Sequence, residues 1–491
     1  MKLSLSNKYV RAVTANILFF VFSTAFFLAV TPIALRIMGE DFYGLWAILC
    51  AIMMFSNVGS LGVGSIVNKF ASELVEDIDK KEYLNQVFTS GILIVLPMAL
   101  IIFFLLFISR NFIASAIIHD TNIQKQFSNT LLIIGASMVP QFFSHVCQGL
   151  LLAQLENKTV RIIELIITVL LWVGSIIIVL IFGRNIVYIG IWCFVYSLIS
   201  LFLYAIAIKK ISKIFFRINN VLTKKMLKFS GYMFLESVSI NLFSQVDRVI
   251  VGITIGPSIA GVYSIGTSVG SRLTTIVGQV TSVMIPYASL KNSTNDQEKL
   301  FYIFRKLSKY VSLFIGLLGG LAVIWMPVLL SLWITPKFAM DYKNAFIILI
   351  VAYCLLTLCR PAHQTLTGLG KVKFTSLVYL FSSLGMLMIL FGTSKLFGLD
   401  GAAWADSTLV ILLIFNLFVY KKYSPGKILN NLFEDLNFGI FIPLISYFVV
   451  LLQPTNLVMM VLSAIICILF GINLLKDDWI KQLLIRRLKI G

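Results

Sequence analysis

MGEDFYGLWAI (residues 38–48) follows a long apolar stretch, and a weaker copy, IGPSIAGVYSI (255–265), follows another at an offset of 217. In the paired reading Gly39 matches Gly256, Gly44 matches Gly261, Trp46 meets Tyr263 and Ile48 meets Ile265. Each copy reads as a short turn between two apolar runs. Other landmarks recur in the same order at slightly drifting offsets, as small gaps would produce. Phe182-Gly183 matches Phe397-Gly398 at 215; Trp192 matches Trp404 and Lys209-Lys210 matches Lys421-Lys422, both at 212. Chance similarity between apolar segments would not keep this order. The chain is therefore expected to contain two six-helix units, with the turn joining the first two helices of each.

The composition fixes the class. The 491 residues are 59% hydrophobic and 12% charged, with a mean hydropathy of +0.95. A soluble protein of this length could not hide so much apolar side chain, so the chain is read as an all-α polytopic membrane protein. Apolar windows predict about fourteen spans. They include a first at about 12–37, a second at 42–68, a seventh at 230–254, an eleventh and twelfth at 374–394 and 401–420, and a last pair at 436–453 and 456–475. No cleavable signal pattern precedes the first. The six cysteines (Cys50, Cys147, Cys193, Cys354, Cys359, Cys467) all lie in apolar runs without a CxxC pair and are read as buried packing residues. The three histidines do not sit at metal spacing, and neither a metal nor a cofactor is expected.

A net charge of +19 would suggest nucleic acid in a soluble protein, but here the arrangement of charge explains it better. With the N-terminus in the cytoplasm, thirty of the forty Lys and Arg fall in cytoplasmic segments. Only Arg36, Arg110, Lys125, Arg184, Lys337, Lys343 and Lys395 fall outside. Such alternation supports both the span count and cytoplasmic termini, and no nucleic-acid partner is expected. Both units then start on the same side, which makes the repeat parallel with a pseudo-two-fold along the membrane normal. The expected boundaries are 1–208 for the first unit, 209–229 for a basic cytoplasmic linker, 230–422 for the second unit, and 423–491 for two further helices and a basic tail. The linker interleaves cations with residues such as Phe215 and Leu222, a pattern suited to an anionic leaflet.

Polar residues recur at steps of three and four inside several spans. Ser237, Asn241, Gln245 and Arg248 share a face of the seventh helix. Ser264, Ser268, Ser271, Thr275, Gln279 and Ser282 share one on the eighth, with Arg272 beside them. Thr357, Arg360, Gln364 and Thr367 line the tenth, and Ser137, Gln141, Ser144 and Gln148 line the fourth beside His145. Such stripes are costly against lipid and should face protein or a water-filled cavity. For the hydroxyls, hydrogen bonding between helices is an equal alternative. Mid-membrane arginine costs about 2.5–3.5 kcal/mol even on the lenient insertion scale, so Arg248, Arg272 and Arg360 call for a function. A guanidinium suits phosphate oxygens and repels organic cations, which points to anionic cargo. Asp247 is read as a structural charge paired with a nearby arginine. Glu164 could reach water or a loop cation. At offset 215 His145 falls on Arg360, so the two are expected to face a common lumen; a hydrogen-bonded packing role for His145 is the alternative. No nucleophile–base constellation or phosphate loop appears, and an enzyme is not expected.

The stretches LRIMGEDFYGLWAI, FSNVGSLGVGSIVNKFASE, QVDRVIVGITIGPSIAGVYSIGTSV and TLTGLGKVKF, in that order, resemble Wzx-type polysaccharide-unit flippases. These belong to the multidrug/oligosaccharidyl-lipid/polysaccharide exporter superfamily. The resemblance covers essentially the whole chain. It implies a V-shaped fold like that of multidrug exporters and a cationic lumen. It implies an undecaprenyl-diphosphate-linked oligosaccharide, an O-antigen or similar repeat unit, as cargo moved between leaflets of the bacterial inner membrane. Membrane lipids, a polysaccharide polymerase and a chain-length regulator are the further partners it implies. One departure is that related flippases often carry basic residues within the first helix, where this chain offers only residues such as Asn16 before Arg36. The rivals are a drug antiporter of the same superfamily, which should have an acidic cavity, and a membrane-embedded polymerase or ligase, which should have a long outer loop. The extra pair of helices could line a groove for the lipid tail or simply pack.

Overall fold

The computed structural model describes residues 2–59, 62–72, 80–154, 156–211, 215–293 and 296–475. Ile214, the tail from Lys476 and the side chain of Ser237 lie outside what is described. The described chain is helical. In order it forms α1 (Lys2–Met38), α2 (Glu40–Gly59), α3 (Val63–Ser72), α4 (Lys80–Ile117), α5 (Thr121–Ala153), α6 (Asn157–Phe182), α7 (Ile186–Ile211) and α8 (Asn220–Asn241). A π-helical turn (Leu242–Val246) leads into α9 (Asp247–Thr254), α10 (Pro257–Thr281) and α11 (Met284–Ser293). Then follow α12 (Gln297–Trp333), α13 (Pro336–Thr357), α14 (Arg360–Gly368) and α15 (Val372–Ser407). A 3₁₀ segment (Thr408–Leu413) precedes α16 (Ile414–Tyr423), α17 (Ile428–Leu451) and α18 (Asn456–Leu475).

Eleven helices among the described residues are long and apolar enough to cross a membrane, so the chain is a multi-pass membrane protein. The expected fourteen is not reached by that measure. One candidate, Val372–Tyr423, covers both the eleventh and twelfth expected spans and is broken at Gly398. The second expected span is the interrupted pair α2 and α3, and the seventh is α8 and α9 divided by the π turn. By packing, the chain forms two units, Met1–Ser264 and Ile265–Gly491. The division falls within α10 and not in the basic linker, because α8 and α9 pack against α2 and α4.

The repeat is written into the backbone. Gly39 and Gly256 both have positive φ, at 77° and 127°, and so do Gly183 and Gly398, at 72° and 59°. These are the landmark glycines matched by sequence, and each takes a conformation that L side chains rarely adopt. The two copies of the turn also pack on one another within the first unit. A Cβ on Gly44 would lie 1.7 Å from the Pro257 carbonyl oxygen, and one on Gly261 would lie 2.9 Å from Gly44 Cα. Small residues are what let helix backbones approach this closely within a membrane. The aromatics of the first copy dock inward. Trp46 packs on Trp172 at 4.7 Å between centroids, and its indole N–H donates to Ser175 Oγ at 3.2 Å.

The linker's visible end is strapped to α4. The Phe215 amide donates to Asn85 Oδ1, the Arg217 amide to Thr89 Oγ1, and the Asn219 side-chain amide to Gln86 Oε1. Phe215, Phe216 and Ile218 remain exposed.

In the second unit α17 and α18 both pack across α12. The Gly439 amide donates to Ser312 Oγ at 2.8 Å, and Trp325 Nε1 donates to Ser463 Oγ at 2.9 Å. The reading of six buried cysteines needs correction. Cys147, Cys193, Cys354 and Cys359 are buried and Cys50 is half-buried, but Cys467 is exposed on α18, which packs by only one face.

Candidate substrate-binding site

In the first unit the polar stripe of α5 ends in a network. Gln148 Nε2 donates to Glu164 Oε1 at 2.7 Å. The other carboxylate oxygen takes Arg161 Nη1 at 2.5 Å, and Arg161 Nε donates to Asn16 Oδ1 at 2.7 Å. The guanidinium also lies over the Phe19 ring, 5.3 Å from its centroid. His145 lies one turn before Gln148 on α5, and its backbone carbonyl meets α3 at Gly64. The chain Gln148–Glu164–Arg161–Asn16 thus ties α5, α6 and α1 together. Glu164 finds its cation on its own helix, three residues back, and not in a loop. The i, i+3 spacing of Arg161 from Glu164 at the start of a span was the signal that it belongs inside.

The seventh helix carries the second cluster. Its π turn falls between Asn241 and Asp247 and contains Gln245, which is buried. Such turns widen a helix by one residue and are frequent at functional sites. Arg248 Nη1 donates to Gln245 Oε1 at 3.4 Å, so the two still share a face across the widened turn. Asn241 is half-buried at the turn's entrance. Asp247 is fully buried. One of its oxygens accepts the backbone amide of Arg248 at 2.7 Å, with the Tyr263 hydroxyl beside it. The carboxylate therefore faces the repeated turn, and the Arg248 guanidinium turns to Gln245.

In the second unit α10 and α13 run alongside one another. Gly270 sits against Tyr353, and the Thr274 and Thr357 hydroxyls meet at 3.1 Å. Arg272 is half-buried on α10, and Gln279 is exposed further along it. Arg360 owes its place to Pro361. A proline has no amide to donate and clashes with the preceding turn, so α13 stops at Thr357 and α14 restarts at Arg360. The Leu358 carbonyl in the break is taken up by Asn416 Nδ2 at 3.1 Å. Arg360 is thereby held at a helix break within a heavily buried span.

Two of the three predicted arginines share an uncommon feature. The Nε–H groups of Arg248 and Arg360 are buried without a hydrogen-bond partner among the described residues, and neither arginine forms an ion pair there. A buried donor left unsatisfied costs about 1–3 kcal/mol, more when charged, and an anion with several oxygens would relieve it.

The sequence pattern of a family described as "polysaccharide biosynthesis protein" matches residues 33–338. No curated protein sequence matches significantly. Among solved structures, the chain is similar to the lipid II flippase MurJ in an inward closed conformation, at 17% identity and a TM-score of 0.67, over 93% of this chain and 99% of that one. It is also similar to an inward-facing multidrug resistance MATE family transporter of the MOP superfamily, at 13% identity and a TM-score of 0.66, over 82% and 98%. A MOP superfamily transporter from Pyrococcus furiosus, described by the reversed polarity of its binding pocket, matches at 14% identity and a TM-score of 0.54, over 86% and 95%.

Proposed function

Because the chain belongs to the polysaccharide biosynthesis protein family, within the fold shared by MOP superfamily transporters, we propose that it flips a lipid-linked oligosaccharide across the bacterial inner membrane. In this reading the cargo is an undecaprenyl-diphosphate-linked repeat unit, of O-antigen or a similar surface polysaccharide. It moves from the cytoplasmic to the periplasmic leaflet by alternating access of two lobes, 1–208 and 230–422. The termini are cytoplasmic in this reading, which the lysine and arginine distribution supports. The diphosphate is assigned to Arg248 and Arg360, with Arg272 as a further cation. Asn241, Gln245, Gln279 and His145 supply hydrogen bonds to diphosphate or sugar. Asp247 keeps a structural role, fixing the Arg248 backbone and the repeated turn.

The observation that carries this reading is the pair of buried guanidinium Nε–H groups without acceptors. A diphosphate offers acceptors on two phosphoryl groups, and arginine's fork matches them. The fold alone would equally fit a drug antiporter. Organic cations, however, would be repelled by Arg360, which bonds no carboxylate among the described residues, whereas Arg248 has the buried Asp247 beside it.

The test is genetic and chemical together. A host lacking the chain should lose surface polysaccharide while lipid-linked repeat units accumulate on the cytoplasmic side. Restoring the wild-type chain should reverse both, and Arg360→Ala at normal membrane levels should reverse neither. Unchanged surface polysaccharide with new sensitivity to cationic drugs would establish the antiporter instead.

A further inference from the structure

Asp247 has two carboxylate oxygens, and the fold uses one of them. Oδ1 accepts the backbone amide of Arg248 at 2.7 Å and so fixes the first turn of α9. Oδ2 is buried and has no hydrogen-bond partner among the described residues. The whole residue is buried. An oxygen held there without a donor is destabilising, and more so when it carries charge.

The next residue has the complementary deficit. Arg248 Nε–H is buried without an acceptor, and Nη1 reaches Gln245 Oε1 only at 3.4 Å, beyond the usual range for such a bond. Elsewhere in the chain a cation beside an acid closes on it. Arg305 holds Asp435 at 2.7 and 3.0 Å, and Lys291 holds Asp296 at 2.8 Å. Arg248 does not, although the bond from its own amide keeps the Asp247 carboxylate against the root of its side chain. Among the described residues, the charge that acts on this carboxylate is that of Arg248. Successive residues do not face each other on a regular helix, so the guanidinium must fold back along its own stem to reach Oδ2. The π turn ends at Val246, immediately before the pair, where the regular winding is already interrupted.

We propose that Asp247 Oδ2 is an internal acceptor for Arg248. The structure shows the guanidinium turned to Gln245, open to an anion. When the diphosphate leaves, the guanidinium folds onto Oδ2, and incoming diphosphate must draw it off again. Asp247 is then a positioning residue that acts on cargo through Arg248 and sets how firmly the diphosphate is held. The proposal rests on the flippase reading above. A flippase has to release what it binds, and a buried donor that only cargo can satisfy resists release. An acceptor of the same chemical class as phosphate, one residue away, removes that resistance. Arg360 has no such neighbour, since Cys359 and Pro361 flank it.

The test removes the competing charge. Asp247→Asn keeps the shape and an acceptor for the Arg248 amide. Asp247→Ser is also neutral and serves if the first variant fails to fold. The full chain in phosphatidylcholine nanodiscs is titrated with radiolabelled undecaprenyl diphosphate, and dissociation is followed by a chase of unlabelled lipid. The neutral variant should bind about tenfold more tightly than wild type and release more slowly. A merely structural Asp247 gives the opposite sign, because loosening the site weakens binding. Arg248→Ala should bind more weakly than wild type, and adding Asp247→Asn should change its affinity no further. In an Arg360→Ala background the full tightening should remain. Three results would overturn the internal acceptor and leave the flippase reading standing: a folded neutral variant that binds no more tightly than wild type, tightening that persists in Arg248→Ala, or failure of both neutral variants to fold, which makes Asp247 scaffold alone. If wild type binds no undecaprenyl diphosphate, the flippase reading itself fails, and the internal acceptor with it.

Discussion

Arg161 and Arg305 are set into the protein in one way, Arg248 and Arg360 in another. Arg161 is closed by Glu164 and Asn16. Arg305 grips Asp435 with two nitrogens, at 2.7 and 3.0 Å, and reaches Glu434 at 2.8 Å. Tyr420 completes that cluster by donating to Asp435 at 2.8 Å, which pins α17 to α12 and α16. These cations are neutralised on the spot and hold helices together. Arg248 and Arg360 instead keep a buried Nε–H without an acceptor. Residue type does not separate the two kinds, and neither does presence in a helix. What separates them is whether a carboxylate bonds the guanidinium directly, and in the proposed reading an arginine left with an unused buried N–H is one kept for cargo.

The strongest way to break this contrast is to remove one arginine of each kind. Arg360→Ala should lower flipping on the order of 100-fold with membrane levels unchanged, because the charge-assisted bonds it offers are made only to cargo. Arg360→Lys should recover part of that, lacking the planar fork. Flipping is read as periplasmic accessibility of the lipid-linked unit. Arg305→Ala should do the reverse, sparing flipping per folded molecule and lowering stability. Leaving Asp435 unpaired at 5% exposure costs about 2 kcal/mol, after allowing for the partial exposure of Arg305. A thermal unfolding curve in detergent reads this, and Arg305→Ala with Asp435→Ala should melt higher than Arg305→Ala alone. If Arg305→Ala stops flipping in fully folded protein, the division into two kinds is wrong.

A milder change sharpens the contrast from the other side. If Glu164 is what silences Arg161, then Glu164→Gln makes Arg161 resemble Arg360. The Gln side chain can still accept from Arg161, and the network is half-exposed, so stability should fall by no more than about 1 kcal/mol. Affinity for a soluble anion such as pyrophosphate should rise a few-fold over wild type, and Arg161→Ala in the same background should abolish the rise. An unchanged affinity would mean that Arg161 is held away from cargo by position and not by pairing.

Much of this was legible in the sequence because membranes impose simple rules. Hydropathy, lysine placement and the repeated turn sufficed for a helical bundle with an internal repeat, and Gly39, Gly256, Gly183 and Gly398 then took matching backbone conformations. What the sequence did not disclose depends on local departures from an ideal helix. The π turn at Leu242–Val246, the break before Arg360 and the 3₁₀ segment at Thr408–Leu413 each change which side chains share a face, and only the Pro361 break has a plain sequence signal. Arg161 was hidden differently. A cation one turn inside a span looks like a loop cation until its partner Glu164 is seen on the same helix.

The smallest effect is expected at an ion pair where α11 turns into α12. Lys291 Nζ meets Asp296 Oδ2 at 2.8 Å between α11 and α12, and Asp296 also caps the α12 amide of Lys299 at 3.4 Å. The hydrogen bond from Lys291 holds the Asp296 carboxyl below its ordinary 3.8. A carboxyl with a lowered folded value stabilises the fold above its unfolded value, and that contribution disappears only as pH falls through the folded one. The pair is therefore fully formed at neutral pH and insensitive to pH between about 5 and 8. Solvent screening leaves little net energy in so exposed a pair. Asp296→Asn should accordingly leave the melting temperature at pH 7 and the rate of flipping unchanged, and only remove a slight loss of stability on acidification below about pH 4. Melting curves of the two proteins across that range make the comparison. A clear fall in stability at neutral pH would show that this pair works like Arg305 and Asp435, and that burial of the carboxylate, 39% exposed here against 5% at Asp435, is not what sets the two pairs apart.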